Sequence, residues 1–134
     1  MLHRLNKNNK INNKGMTLLE IMIVLGIIGA VMSILLPMVM SRLNASRIKQ
    51  TKLAIGQMVQ SINNFQMDCG KLPANLEFLT KPDPECSNWG PDPYMKKIAK
   101  DAWGQEFTYE VSGTNFVIKS PGYKGKEINS EELQ

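Results

Sequence analysis

A single carboxylate interrupts what is otherwise an unbroken apolar run. From Leu18 to Met40 the chain consists of Ile, Leu, Val, Met, Ala and Gly with Ser33 and Pro37, and Glu20 is its only ionisable side chain. As a helix, Met16 to Met40 spans about 37 Å, enough to cross a bilayer core with some tilt. A charge in such a span costs several kcal/mol and calls for a partner. Glu20 lies four residues after Met16, so a cut after Gly15 would create an α-amino group one helical turn away, or on a neighbouring copy.

Charge divides the chain into pieces. The formal net charge is +4, and Arg4, Lys7, Lys10 and Lys14 carry all of it, with no acid among residues 1–15. Without that stretch the remainder holds 12 basic and 12 acidic side chains. The basic balance therefore gives no reason to expect nucleic acid. A basic flank holds an N-terminus in the cytoplasm. A second cluster, Arg42, Arg47, Lys49 and Lys52, follows the apolar run and opposes that orientation.

Beyond Met40 the apolar residues Leu43, Ile48, Ile55, Met58, Val59, Ile62 and Phe65 recur mostly at helical spacing, predicting a helix that continues to about Met67. Gly56 weakens it, and Gly70 with Pro73 stops it. Residues 70–105, rich in Pro, Gly, Asn and Asp, read as an ordered loop with one or two helical turns at Tyr94 to Lys100. Glu106 to Val111 and Asn115 to Lys119 alternate as strands around a three-residue turn, Ser112-Gly113-Thr114. The residues from Ser120 onward are polar, expected to close the sheet edge. The fold class is α+β, a long N-terminal helix packed on a small antiparallel sheet. Its pieces are a leader (1–15), an apolar helix (16–40), an amphipathic continuation (41–67) and a small domain (68–134).

So small a domain needs the helix as its core, and a staple helps. Cys69 and Cys86 are the only cysteines. Both follow the span, and on the exported side of a membrane an oxidising compartment would permit a disulfide, expected here over two free thiols. With no nearby His they do not make a zinc site. The only histidine, His3, lies in the leader, so no His-dependent nucleophilic system is available after it. Ser120 to Lys126 has too few glycines for a phosphate loop, and Pro82-Asp83-Pro84-Glu85 reads as a solvated turn. No enzyme is expected.

Gly15, Met16, Thr17, Leu18, Leu19 and Glu20 resemble the processing motif of the type IV pilin and pseudopilin superfamily, with Met16 where Phe is usual. The resemblance implies cleavage between Gly15 and Met16 by a prepilin peptidase, N-methylation of Met16, and a cytoplasmic N-terminus despite the second basic cluster. Gly26, Gly29 and Pro37 fall where such helices carry packing glycines and a helix-loosening proline. Three further stretches narrow the likeness: Asp68-Cys69-Gly70-Lys71-Leu72-Pro73, Asn88-Trp89-Gly90-Pro91 with Tyr94-Met95-Lys96-Lys97, and Lys100-Asp101-Ala102-Trp103-Gly104 through Tyr109. Together they resemble the major pseudopilin of type II secretion, with Trp89, Gly90, Pro91, Asp101, Trp103 and Gly104 as structural motif residues. Trp89 and Trp103 also serve as aromatic cover for a thin core.

The resemblance implies a helical homopolymer in which Glu20 pairs with the α-amino group of Met16 on an adjacent copy. It also implies minor pseudopilins and an inner-membrane assembly platform as partners, and a single-pass inner-membrane protein with a periplasmic domain. Three departures stand out. Ala102 replaces a proline, Pro93 interrupts the Gly-Pro-Tyr stretch, and Lys124 takes an aspartate's place in the family's calcium loop, here Ser120 to Lys126. An ammonium there repels calcium, Glu127, Glu131 and Glu132 read as a solvated tail, and no cofactor is expected. The alternative reading is a type IV pilin for adhesion, motility or DNA uptake, with a membrane-anchored binding or enzymatic module third. The short C-terminal domain and the Trp-Gly stretches favour the secretion subunit.

Overall fold

The computed structural model describes residues 17–133. Helix α1 runs Leu18–Cys69 without a break. It passes Gly56 as well as Pro37, whose missing N–H leaves the Ser33 carbonyl without its usual intrahelical donor. Gly70, in the left-handed region at φ 71°, ends it, and its amide bonds the Gln66 carbonyl at 2.8 Å.

Two compact units follow one another along the chain, divided between Met40 and Ser41. In the first, the large apolar side chains from Leu18 to Met40 are 44–77% exposed. Nothing among the described residues covers them, and the segment is long and apolar enough to cross a membrane.

The second unit closes on the amphipathic part of α1. Ile55, Met58, Ile62 and Phe65, spaced three and four apart, are fully buried together with Leu79, Ile118 and Ile128. Thr51 extends the same stripe and is also buried. Leu43, expected on that face, is 40% exposed, so the packed stripe begins further along than the periodicity suggested.

Strands β1 (Thr108–Ser112), β2 (Asn115–Tyr123) and β3 (Lys126–Asn129) form an antiparallel meander in the order β1-β2-β3. Ile118, Ser120 and Ile128 face the core. The sheet departs from the sequence expectation in three ways. Ser112 pairs with Asn115, so the first turn has two residues, Gly113 and Thr114, with Gly113 supplying φ 61°. The second strand runs on past Lys119 because Pro121 and Gly122 sit in an irregularity between Ser120 and Tyr123, where a proline costs no ladder bond. The polar stretch after it then forms a full third strand.

Tyr94 to Lys100 is not helical; a 3-10 turn occurs instead at Leu76–Leu79, where the Asn75 side chain accepts from the Glu77 amide at 3.0 Å. The later segment is a run of bends at Tyr94, Lys96 and Lys97, held by the Met95 amide on the Leu79 carbonyl at 3.1 Å.

Candidate functional site

The start of α1 is a reciprocal cap. The Glu20 amide donates to Thr17 Oγ1, and the Thr17 amide donates to Glu20 Oε2, both at 3.3 Å. Thr-x-x-Glu is a capping box, satisfying two of the amides that a helix start leaves without partners. The spacing was present in the sequence, but the buried-charge reading of Glu20 obscured it. Glu20 is exposed, as are all residues to Leu43, so its carboxylate stays available to a second partner. Gly15 and Met16 lie outside the described residues. A Cβ added at Gly26 or Gly29 would meet no atom within 4 Å among the described residues. Both glycines therefore leave their face of α1 open.

Further along the chain, the Cys, Trp and Asp motifs of the second unit, the head, prove to be braces. Cys69 and Cys86 form a disulfide across 17 residues of chain, with Cα atoms 5.4 Å apart. Beside it Lys71 bridges Asp83 at 3.3 Å and Glu85 at 2.6 Å, and the hydrogen bond to Glu85 raises the lysine's pKa. Asp83 is only 4% exposed and accepts from the Glu85 amide at 2.9 Å. The Pro82 to Glu85 turn is thus anchored rather than freely solvated, because Lys71 reaches back from the helix end.

Trp89 Nε1 donates to the Phe78 carbonyl at 2.7 Å, and its ring meets Tyr94 edge-on at 5.6 Å. Tyr94 in turn packs edge-on against Phe65 and donates its hydroxyl to Asp68 at 2.6 Å. Burial first, then that contact, raises the Tyr94 pKa. Gly90 and Pro91 carry the loop past this cluster, with Gly90 at φ 90°.

Asp101 is the hub of the other motif. Its Oδ1 accepts from the Trp103 and Gln105 amides at 3.0 and 2.7 Å, while Oδ2 accepts from Ser120 Oγ at 2.7 Å. Gly104, at φ 77°, closes the turn, its amide on the Asp101 carbonyl at 3.0 Å. Ser120 Oγ also accepts from the Gly122 amide, and Ser130 Oγ from the Ile118 amide, both at 3.1 Å. Ala102 has more consequence than a simple stand-in for proline. Its amide donates to the buried Thr51 hydroxyl of α1 at 3.2 Å, a bond that proline cannot make. Neither Thr51 nor Ser130 was singled out from the sequence, where isolated hydroxyl residues carry no pattern, and Ser120 was read only as the first residue of a loop.

The stretch that resembles a calcium loop is a tight hairpin turn. Tyr123 pairs with Lys126, leaving only Lys124 (φ 52°) and Gly125 (φ 76°) between the strands. Lys124 Nζ lies 5.3 Å over the Tyr123 ring, and Trp103 stacks on the ring's plane at 6.1 Å. Calcium needs six to eight oxygens including carboxylates. A two-residue turn bearing an ammonium does not supply them, and no cluster of three acidic or other metal-binding side chains occurs among the described residues. These residues do not fit the ion.

The family description "Type II secretion system (T2SS), protein G" matches residues 38–133, and a prokaryotic N-terminal methylation motif matches residues 10–36. The chain belongs to the type II secretion protein G family. Within that family, the type II secretion system core protein G of Pseudomonas aeruginosa is 34% identical over 125 residues, covering 87% of this chain and 88% of that protein. The corresponding protein of Xanthomonas campestris pv. campestris is 36% identical over 115 residues, covering 84% and 80%. The fold is similar to that of the major pseudopilin from the type 2 secretion system of enterohaemorrhagic Escherichia coli (TM-score 0.60, 19% identity, 70% of this chain and 94% of that one). At that identity the likeness is one of fold.

Proposed function

We propose that this chain is the structural subunit of a periplasmic pseudopilus that drives proteins out through a type II secretion system. The protein G match over residues 38–133 carries the reading. A prepilin peptidase cuts between Gly15 and Met16 and methylates the new amino group. The span at 16–40 then holds the subunit in the inner membrane, with residues 41–67 and the domain at 68–134 in the periplasm.

Assembly follows from the exposed first unit. Its apolar surface has two solvents available, lipid and copies of itself. In either, Glu20 lies in low dielectric where an unpaired charge is strongly disfavoured, so its pairing with Met16 of an adjacent copy fixes stagger and register. Gly26 and Gly29 let the helices approach, and Pro37 loosens α1 midway. Identical contacts that do not close on themselves produce a helical filament. The assembly platform adds subunits, minor pseudopilins share the filament, and growth supplies the mechanical stroke. No residue is assigned a catalytic role, and the second reading, a type IV pilin, has no observation of its own to favour it.

A clean deletion strain compared with its complemented parent tests the function. A discrete set of proteins disappears from the medium while long surface fibres persist. Loss of fibres with export intact would make the subunit a type IV pilin.

A further inference from the structure

Four cations follow the apolar run along α1, and the hairpin turn of the sheet brings two more against the same stretch of helix at Ile48. Between Ile21 and Met67 the helix carries Arg42, Arg47, Lys49 and Lys52 and no acid. All four fall within twelve residues of Met40, about 18 Å of helical rise. Amid them, Ile48 lines a cavity of about 270 Å³ together with Tyr123, Lys124, Lys126 and Ile128. The floor is apolar and the hairpin contributes two ammonium groups. The three ion pairs among the described residues use none of these six cations. Strand alternation puts Lys126 on the face of Ile128 and sends Glu127 to the opposite face, where it acts on Lys119.

We infer that this notch is a seat for an anionic phospholipid of the membrane that the subunit occupies before assembly. The headgroup phosphate lies between Lys124 and Lys126, with the glycerol and upper acyl carbons on Ile48, Tyr123 and Ile128. Charge complementarity and position choose this occupant. Cations just beyond a span meet the phosphate layer of that bilayer first, and long basic side chains reach back to it. An apolar floor beneath ammonium groups matches an amphiphile better than a free anion, which needs no such floor. The second basic cluster, which opposes the orientation of the leader by charge alone, thereby acquires a role: it moors the head to the outer face and is released when the subunit enters a filament.

The inference rests on the proposed reading that residues 16–40 cross a bilayer, and the test separates the two. The full chain is reconstituted into vesicles of phosphatidylcholine alone or with about one-quarter phosphatidylglycerol, and amide exchange of residues 120–130 is followed with the lipids retained by the protein. Protection rises only with phosphatidylglycerol, which is retained in preference to phosphatidylcholine. Lys124→Gln and Lys126→Gln each lower that preference about fivefold, whereas the pair Lys96→Gln and Lys97→Gln leaves it unchanged. An integrated chain with no lipid preference overturns the lipid seat alone, and a chain that carbonate strips from the vesicles overturns the span as well. Equal protection by inorganic phosphate without lipid would mark a free-anion site. Protection that appears in phosphatidylcholine only as protein density rises would mark contact between copies. Either of these overturns the inference, and both are read on the unmodified chain even if the variants fail to fold.

Discussion

Thr17 and Glu20 hold one another's backbone amides at 3.3 Å, so the carboxylate proposed to pair between copies already has work in the single subunit. Capping and intersubunit pairing draw on different properties of the side chain. The cap needs an oxygen acceptor at this spacing; the pairing needs a negative charge. Glu20→Gln keeps the acceptor and loses the charge. It is expected to be processed normally and to fail in assembly as completely as Glu20→Ala. Thr17→Ala, which costs about 1 kcal/mol of cap, is expected to assemble. Processing is read as a size shift on a gel and assembly as crosslinked multimers. Assembly by Glu20→Gln would reduce Glu20 to a helix cap.

Asp101 joins the 101–105 turn to strand β2 through Ser120, and it is only 6% exposed. Its replacement by Ala strands two amides and a hydroxyl in a buried setting, each worth about 1 kcal/mol or more. Asp101→Ala is expected to destabilise the head by about 3 kcal/mol and Ser120→Ala by about 1 kcal/mol. The double variant should fall short of the sum by about 1 kcal/mol, because the two share one bond. Urea unfolding of the full chain in detergent measures all three. Strict additivity would show that the bond contributes nothing.

The sequence made some of these features plain and hid others for physical reasons. The span, the Glu20 charge, the core stripe at Ile55, Met58, Ile62 and Phe65, and the two cysteines announce themselves by periodicity, isolation or scarcity. A bulge such as that at Pro121-Gly122 has no such signature, so the end of β2 was hidden behind turn-forming residues, and β3 was legible only as a polar stretch closing the sheet edge. Asp83 read as solvated because its neighbours are prolines and acids, and only the fold brings Lys71 to it. Trp103 Nε1 is buried without an acceptor, and nothing in the structure accounts for that.

Lys124 occupies a left-handed position, φ 52°, in a two-residue turn that favours Asn followed by Gly. Lys124→Asn creates that pair with Gly125 and is expected to stabilise the head by about 0.5 kcal/mol, within the small gains typical of turn optimisation. Gly122→Ala has the opposite sign and a larger size. At φ 71° an added Cβ would land on the Lys126 carbonyl oxygen, so β3 must shift. Thermal unfolding of both variants tests the pair. A destabilised Lys124→Asn would show that the contact of Lys124 with the Tyr123 ring outweighs the turn strain.

The Cys69–Cys86 bridge closes a loop at the place where the helix ends, whereas the hairpin at Lys124 is closed by protein groups alone. Reduction is therefore expected to lower the stability of the head by roughly 3 kcal/mol in the chain-entropy description. A calcium chelator should leave the unfolding midpoint where it is. The two treatments are compared on the same full-chain sample, followed by near-ultraviolet circular dichroism. A midpoint that falls with chelator and holds under reductant would restore a calcium ion to this subunit.

Tyr109 gives the head an alkaline limit. Its hydroxyl donates to the carbonyl of the buried Pro73 at 2.9 Å, and burial pushes its pKa up to about 12 from 10.0. The folded state therefore holds this proton more tightly than the unfolded chain. Its contribution is fully present below pH 10 and is lost as pH rises toward 12, so stability falls across that window. Tyr94, also raised, titrates in the same direction and keeps part of the slope. Tyr109→Phe removes one titrating group and one hydrogen bond. It is expected to cost about 1 kcal/mol at neutral pH and to flatten the alkaline limb of a plot of stability against pH. An unchanged limb would mean that the phenol ionises without disturbing the fold, and that burial there is looser than the 2.9 Å contact implies.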